Sequence, residues 1–161
     1  MEVTSLPAII SSLMVYISAA MHIPEGQIPT PEVKFLTEKQ MEVKFCGGKS
    51  CGSLLGMVPK EDGAVYLKDT LDVQRDMEAR GILLHELVHY VQYKRNSPTL
   101  ANDCLTWKAR EVEAYRIQGN WLYENRVAIN MPTYNIALVN FQSLRCPRVP
   151  SDYSESKPLN Q

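Results

Sequence analysis

Of the three histidines in this 161-residue chain, two stand four apart, in the run His85-Glu86-Leu87-Val88-His89. On a helix, residues i and i+4 share a face. His85 and His89 can therefore each turn one imidazole nitrogen toward a single ion. Zinc takes such nitrogens at about 2.0–2.1 Å. It also draws the pKa of a water molecule toward about 7 and polarises carbonyls. Glu86, next to the first histidine, can reach that water without ligating the metal, and its carboxylate is a candidate catalytic base. Three fixed positions make a short motif, and the bland alternative is two surface histidines on an ordinary helix. Leu83, Leu84, Leu87 and Val88 surround the motif with apolar side chains, which argues for a buried helix. Buried imidazoles need partners.

A catalytic zinc wants a third protein ligand and an open fourth position. The remaining histidine, His22, is far upstream beside Pro24, so the third ligand is expected to be a carboxylate or a cysteine. Glu111 and Glu113 follow His89 by 22 and 24 residues. Trp107, Ala114, Ile117, Gln118, Trp121 and Leu122 define the inward stripe of the helix that carries them. At about 100° per residue, Glu111 falls near the centre of that stripe and Glu113 well off it. Glu111 is the expected third ligand, and Ala114 one turn on allows two helices to approach closely. Asp103 and Cys104 are weaker candidates. In the bland reading, both glutamates are solvated and pair with Arg110 or Arg116. Gln92 and Gln118 lie at helical spacing from the ligands and could orient them, or be solvated.

The elements that must position these residues follow from pattern and punctuation. Leu6, Ile9, Ile10, Leu13, Ile17, Ala20 and Met21 recur at helical spacing, which predicts an amphipathic N-terminal core helix. No Asp, Glu, Lys or Arg occurs from Val3 to Pro24, but Ser5, Pro7, Ser11, Ser12 and Ser18 make a poor membrane span, and Glu2 stands where a signal peptide wants a basic residue. No stable span is expected, although a signal peptide could already have been removed. Residues 41–45 alternate apolar and polar and predict a strand, 53–58 a second and 64–67 a third. Helices are expected at about 73–94, capped by Asp69, Thr70 or Asp72, at 104–126, and at 134–144. Helix, short strands, then helices is an α+β order.

Composition fits one compact domain at 1–146 with a loose, proline-rich tail at 147–161. Seventeen basic residues against 18 acidic, with no basic cluster, leave a nucleic-acid partner without an electrostatic footprint. Cys46, Cys51, Cys104 and Cys146 are even in number and suit either disulfides in a periplasmic or secreted protein or four thiols in a cytoplasmic one. Cys46 and Cys51 bracket a loop that a bridge could close.

His85 to His89, followed by Glu111-Val112-Glu113-Ala114-Tyr115, resembles the gluzincin group of zinc metallopeptidases. In these, HExxH lies on an active-site helix and a later glutamate helix completes the site. The thermolysin pattern continues Glu-x-x-x-Asp, and here Tyr115 stands in place of that aspartate. The stretches 85–92 and 111–122 also resemble a group of uncharacterised HELVH-type bacterial proteins. The resemblance implies a zincin-like fold: a small mixed sheet packed on the active-site helix, with an N-terminal backing helix and a glutamate helix. It implies one zinc per chain on His85, His89 and Glu111. It implies hydrolysis of a peptide or protein substrate with Glu86 as base, and a sheet edge strand, placed at 64–67, that pairs with extended substrate. Tyr90, Tyr93, Tyr115 and Arg116 are all available as oxyanion donors. The alternative is a zinc-binding regulatory or binding module with little or no proteolytic activity.

Overall fold

The structure, a computed structural model, describes residues 4–96, 104–127 and 146. In chain order these form α1 (Leu6–Ala20), β1 (Val33–Leu36), α2 (Glu38–Phe45), β2 (Gly56–Met57), β3 (Val65–Lys68), α3 (Met77–Asn96) and α4 (Cys104–Glu124). This is an α+β arrangement of four helices and a three-stranded sheet. The helix expected at 134–144 and the tail at 147–161 lie outside the described residues.

Helix α1 starts with a proline in its first turn, where no helical N–H is lost. It buries Ile9, Ile10, Leu13, Met14 and Ile17 and packs that stripe on α3. His22, at φ 54°, closes it in a left-handed turn. No helix among the described residues is long and apolar enough to cross a membrane.

The segment 41–45 is helical rather than extended. Thr37 and Gln40 form a reciprocal capping box, with the Gln40 N–H donating to Thr37 Oγ1 at 3.2 Å and the Thr37 N–H to Gln40 Oε1 at 2.9 Å. That cap nucleates a helix before the five-residue alternation can be read as a strand. Only Met41 is deeply buried in it, while Val43 is exposed.

The strand order is β1-β3-β2, with β1 parallel and β2 antiparallel to β3. The strand expected at 64–67 exists, but as the central strand, so its backbone is paired on both sides. Its apolar run, with Val65, Tyr66 and Leu67 all buried, suits that position. The edge nearest α3 is β2, since Gly56 packs against a side chain of that helix.

Helix α3 is the hub, touching α1, α4, β2 and β3. It begins at Met77 rather than near 73, because Asp76 takes the capping role: its carboxylate accepts from the Glu78 N–H at 2.8 Å. Leu83, Leu84, Leu87, Val88 and Val91 are almost wholly buried. Its closest partner is α4. A Cβ on Gly81 would lie 2.9 Å from Leu122 Cδ2, and Ala114 is fully buried, so small residues on both helices set a short separation. Two disulfides close the covalent frame, Cys46–Cys51 and Cys104–Cys146.

Candidate metal centre

On α3, His85, His89 and Gln92 lie at i, i+4 and i+7; on α4, Glu111, Ala114 and Gln118 lie at i, i+3 and i+7. Both sets are single helical faces. The faces meet with His85 opposite Gln118 and Gln92 opposite Glu113, so the helices run antiparallel.

The two imidazole Nε2 atoms are 3.1 Å apart. Glu111 places Oε2 3.5 Å from His85 Nε2 and Oε1 3.3 Å from His89 Nε2. The three side chains are only 11%, 12% and 16% exposed. The group could hold a metal ion.

The tautomers follow from the amides behind the rings. The Gln92 amide nitrogen donates to the Arg110 carbonyl at 3.1 Å and to Glu113 Oε2 at 2.9 Å, neither of which can donate back. Its oxygen must then face His89 Nδ1, 2.8 Å away, and accept a hydrogen bond from it. Gln118 Oε1 stands 3.1 Å from His85 Nδ1, where an oxygen can only accept. With Nδ1 carrying the proton in each neutral ring, both Nε2 atoms present lone pairs to the same point as the Glu111 carboxylate.

The two glutamates are thereby separated in role. Glu111 meets the histidines and Glu113 anchors Gln92. Cys104 is committed to its disulfide with Cys146, which removes its sulfur as a ligand. Asp103 lies outside the described residues. His22, in the turn after α1, is not part of this group.

Burial opposes ionisation of Glu111, but hydrogen bonds and charge from the two imidazoles outweigh it and hold the carboxyl down to about 2. Burial pushes Glu86 up, with His85 and His89 pulling the other way and Glu111 adding to the rise. His89 is raised although burial opposes it, because Glu111, Glu86 and Gln92 favour its charged form. Two carboxylates around two imidazoles make a site whose electrostatics favour a cation.

Glu86 is fixed by the sheet. A Cβ on Gly56 would fall 2.5 Å from Glu86 Cγ and 2.7 Å from Oε1, so only glycine leaves room for this side chain beside β2. A cleft of about 570 Å³ runs here, bounded by residues 53–58 on one wall and by α3 and α4 on the other, with His85, Glu86, His89 and Glu111 on its surface.

Of the four oxyanion donors considered, Tyr93 and Tyr115 line this cleft. The Tyr115 ring packs edge-on to His85 at 4.5 Å. Tyr90 donates to the Pro29 carbonyl at 3.0 Å, and Arg116 borders a separate hollow between α1 and α4. Trp107, expected to face inward, is 39% exposed and stands at the cleft. Sequence reasoning missed Gly56 and Arg110. Only the glycine's place in a short strand hinted at the first, and Arg110 was read as an ion-pair partner for the glutamates.

Comparison with known proteins gives one positive finding. The model of a family described as a domain of unknown function (DUF6647) matches residues 2–148. No curated protein and no solved structure matches. By that match over nearly its whole length, the chain belongs to the DUF6647 family.

Proposed function

We propose that the protein is a zinc-dependent hydrolase, a small metallopeptidase with His85, His89 and Glu111 as metal ligands and Glu86 as general base. The observation that carries this reading is the convergence of two Nε2 atoms and one carboxylate, with each Nδ1 beside an amide oxygen. Without a metal ion or a proton between them, the two nitrogens and the carboxylate repel one another. A tetrahedron whose corners lie about 2.0–2.1 Å from its centre has edges of about 3.3–3.4 Å. The two Nε2 atoms are 3.1 Å apart, close to such an edge, and Glu111 brings one oxygen to each ring, Oε2 3.5 Å from His85 and Oε1 3.3 Å from His89. Two imidazole nitrogens and one carboxylate at the surface of a cleft would be the donor set of a catalytic zinc.

When bound, zinc supplies Lewis acidity toward water and toward a carbonyl oxygen. The chain supplies the rest. Glu86, raised by burial, accepts a proton as water adds to the peptide carbonyl carbon. It then delivers that proton to the amide nitrogen as the C–N bond breaks. Of the side chains that line the cleft, the Tyr93 and Tyr115 hydroxyls are candidates to donate to the developing oxyanion. Substrate lies extended along β2, the edge strand, rather than along β3. The gluzincin resemblance supports the same reading, as does a small mixed sheet beside the two helices that carry the histidines and Glu111. The two disulfides favour an oxidising compartment. A zinc-binding module with little hydrolysis would share the metal ligands, but it gives no reason for a carboxylate at Glu86 on the cleft surface.

Metal analysis and a peptide-library digest test this together. About one zinc per chain is expected, lost in His85→Ala and Glu111→Ala. Glu86→Gln should keep the zinc and lower hydrolysis about 10²- to 10⁴-fold. A chain that takes up no zinc would overturn the site. A zinc-loaded wild type that cleaves nothing would replace the peptidase with the binding module.

A further inference from the structure

Among the described residues, Arg110 is the one lysine or arginine on the cleft surface. Its neighbours are already engaged: Glu111 with the two histidines and Glu113 with Gln92. Its guanidinium lies over the Tyr93 ring, 5.3 Å from the centroid. Its Nη1 is buried and has no hydrogen-bond partner, alone in this among the side-chain nitrogens and oxygens of the described residues. A buried donor left unmade costs about 1–3 kcal/mol, more when charged. Such an orphan calls for a missing partner. Arginine's planar fork matches a carboxylate, and stacking on an aromatic ring fixes the fork's plane before a ligand arrives.

The position says which part of a ligand would meet it. Tyr93 follows His89 by one helical turn, about 6 Å along the axis. An extended peptide advances about 3.3–3.6 Å per residue. The guanidinium therefore stands off the reacting carbonyl, at the reach of a group one or two residues away.

We propose that Arg110 is a specificity-determining residue that binds a carboxylate of the substrate, one or two residues from the bond that is cut. This rests on the hydrolase reading above. The carboxylate belongs either to the peptide's C-terminus or to an acidic side chain, and the test separates these sources.

Two matched pairs of N-acylated peptides serve as probes. One pair differs only in a free or amidated C-terminus. The other, amidated throughout, differs only in Glu or Gln at the second residue after the cleaved bond. Zinc-loaded wild type is expected to prefer the carboxylate member of one pair by about 10- to 100-fold in kcat/KM, mostly through KM. In Arg110→Gln that ratio should fall to about one. Preference within the first pair assigns the carboxylate to the chain end, and preference within the second assigns it to a side chain. Calorimetric titration of zinc-loaded Glu86→Gln with the same peptides reads binding without turnover, and should show the same preference. It also decides the matter if Arg110→Gln does not fold. Equal cleavage and equal binding within both pairs would overturn the inference and leave the hydrolase standing. Preferential binding of the carboxylate member with no cleavage by wild type would overturn the hydrolase and keep the inference. Neither binding nor cleavage would overturn both.

Discussion

The histidine tautomers depend on two neutral amides, and this dependence can be tested residue by residue. Gln92→Leu removes the acceptor at His89 Nδ1 and leaves the Arg110 carbonyl and Glu113 without the amide that bridges them. It is expected to weaken zinc binding about 10- to 100-fold, and Gln118→Leu by a similar factor through His85. Competition with a chelating dye measures both. Unchanged affinity in either variant would show that the tautomer is held by something else. At this scale the sequence was informative. The spacing of His85 and His89 and the helical phase of Glu111 were enough to select the residues that converge, because a helix converts sequence spacing directly into direction. Arg110 was not legible, since its significance lies in having no partner, and only three-dimensional neighbours can establish that.

At the scale of elements, the contact of β2 with α3 carries the most consequence. Gly56→Ala would drive a methyl group into Glu86, whose side chain must move or push the strand away. The expected outcome is a fall in hydrolysis of at least about 10-fold with zinc content unchanged, since the ligands sit on α3 and α4. Turnover and metal analysis of one preparation check it, and zinc loss in step with activity would contradict it. Strand and helix assignments from sequence were mixed. The long periodic helices were readable, whereas residues 41–45 read as a strand because five alternating residues carry too little periodicity to outweigh a cap at Thr37. Which strand forms the edge was also misjudged. The run at 64–67 shows apolar residues in a row, which is the mark of a strand covered on both faces, and β1 and β2 flank it.

For the whole molecule, the disulfides tie the site to its surroundings. Cys104–Cys146 spans 42 residues and fixes the start of α4, while Cys46–Cys51 spans five and borders the cleft. On loop-closure entropy alone, the first should contribute about 4 kcal/mol and the second about 2 kcal/mol. Denaturant unfolding of the paired Cys→Ser variants reads these values, and an inverted order would show that strain or residual structure dominates. That four cysteines could pair was legible in the sequence; which ones pair was not, because pairing is decided by the fold that brings 104 and 146 together.

The amides behind His85 and His89 have a consequence for behaviour in acid. A carboxylate in either place would itself take up a proton near pH 4 and release its ring. An amide has no proton to gain over this range, so it holds each ring unchanged as pH falls. Acid release of a bound ion would then count the protons taken up by its ligands and by Glu86 but none at the two amides, and the slope of bound metal against pH should carry that small number.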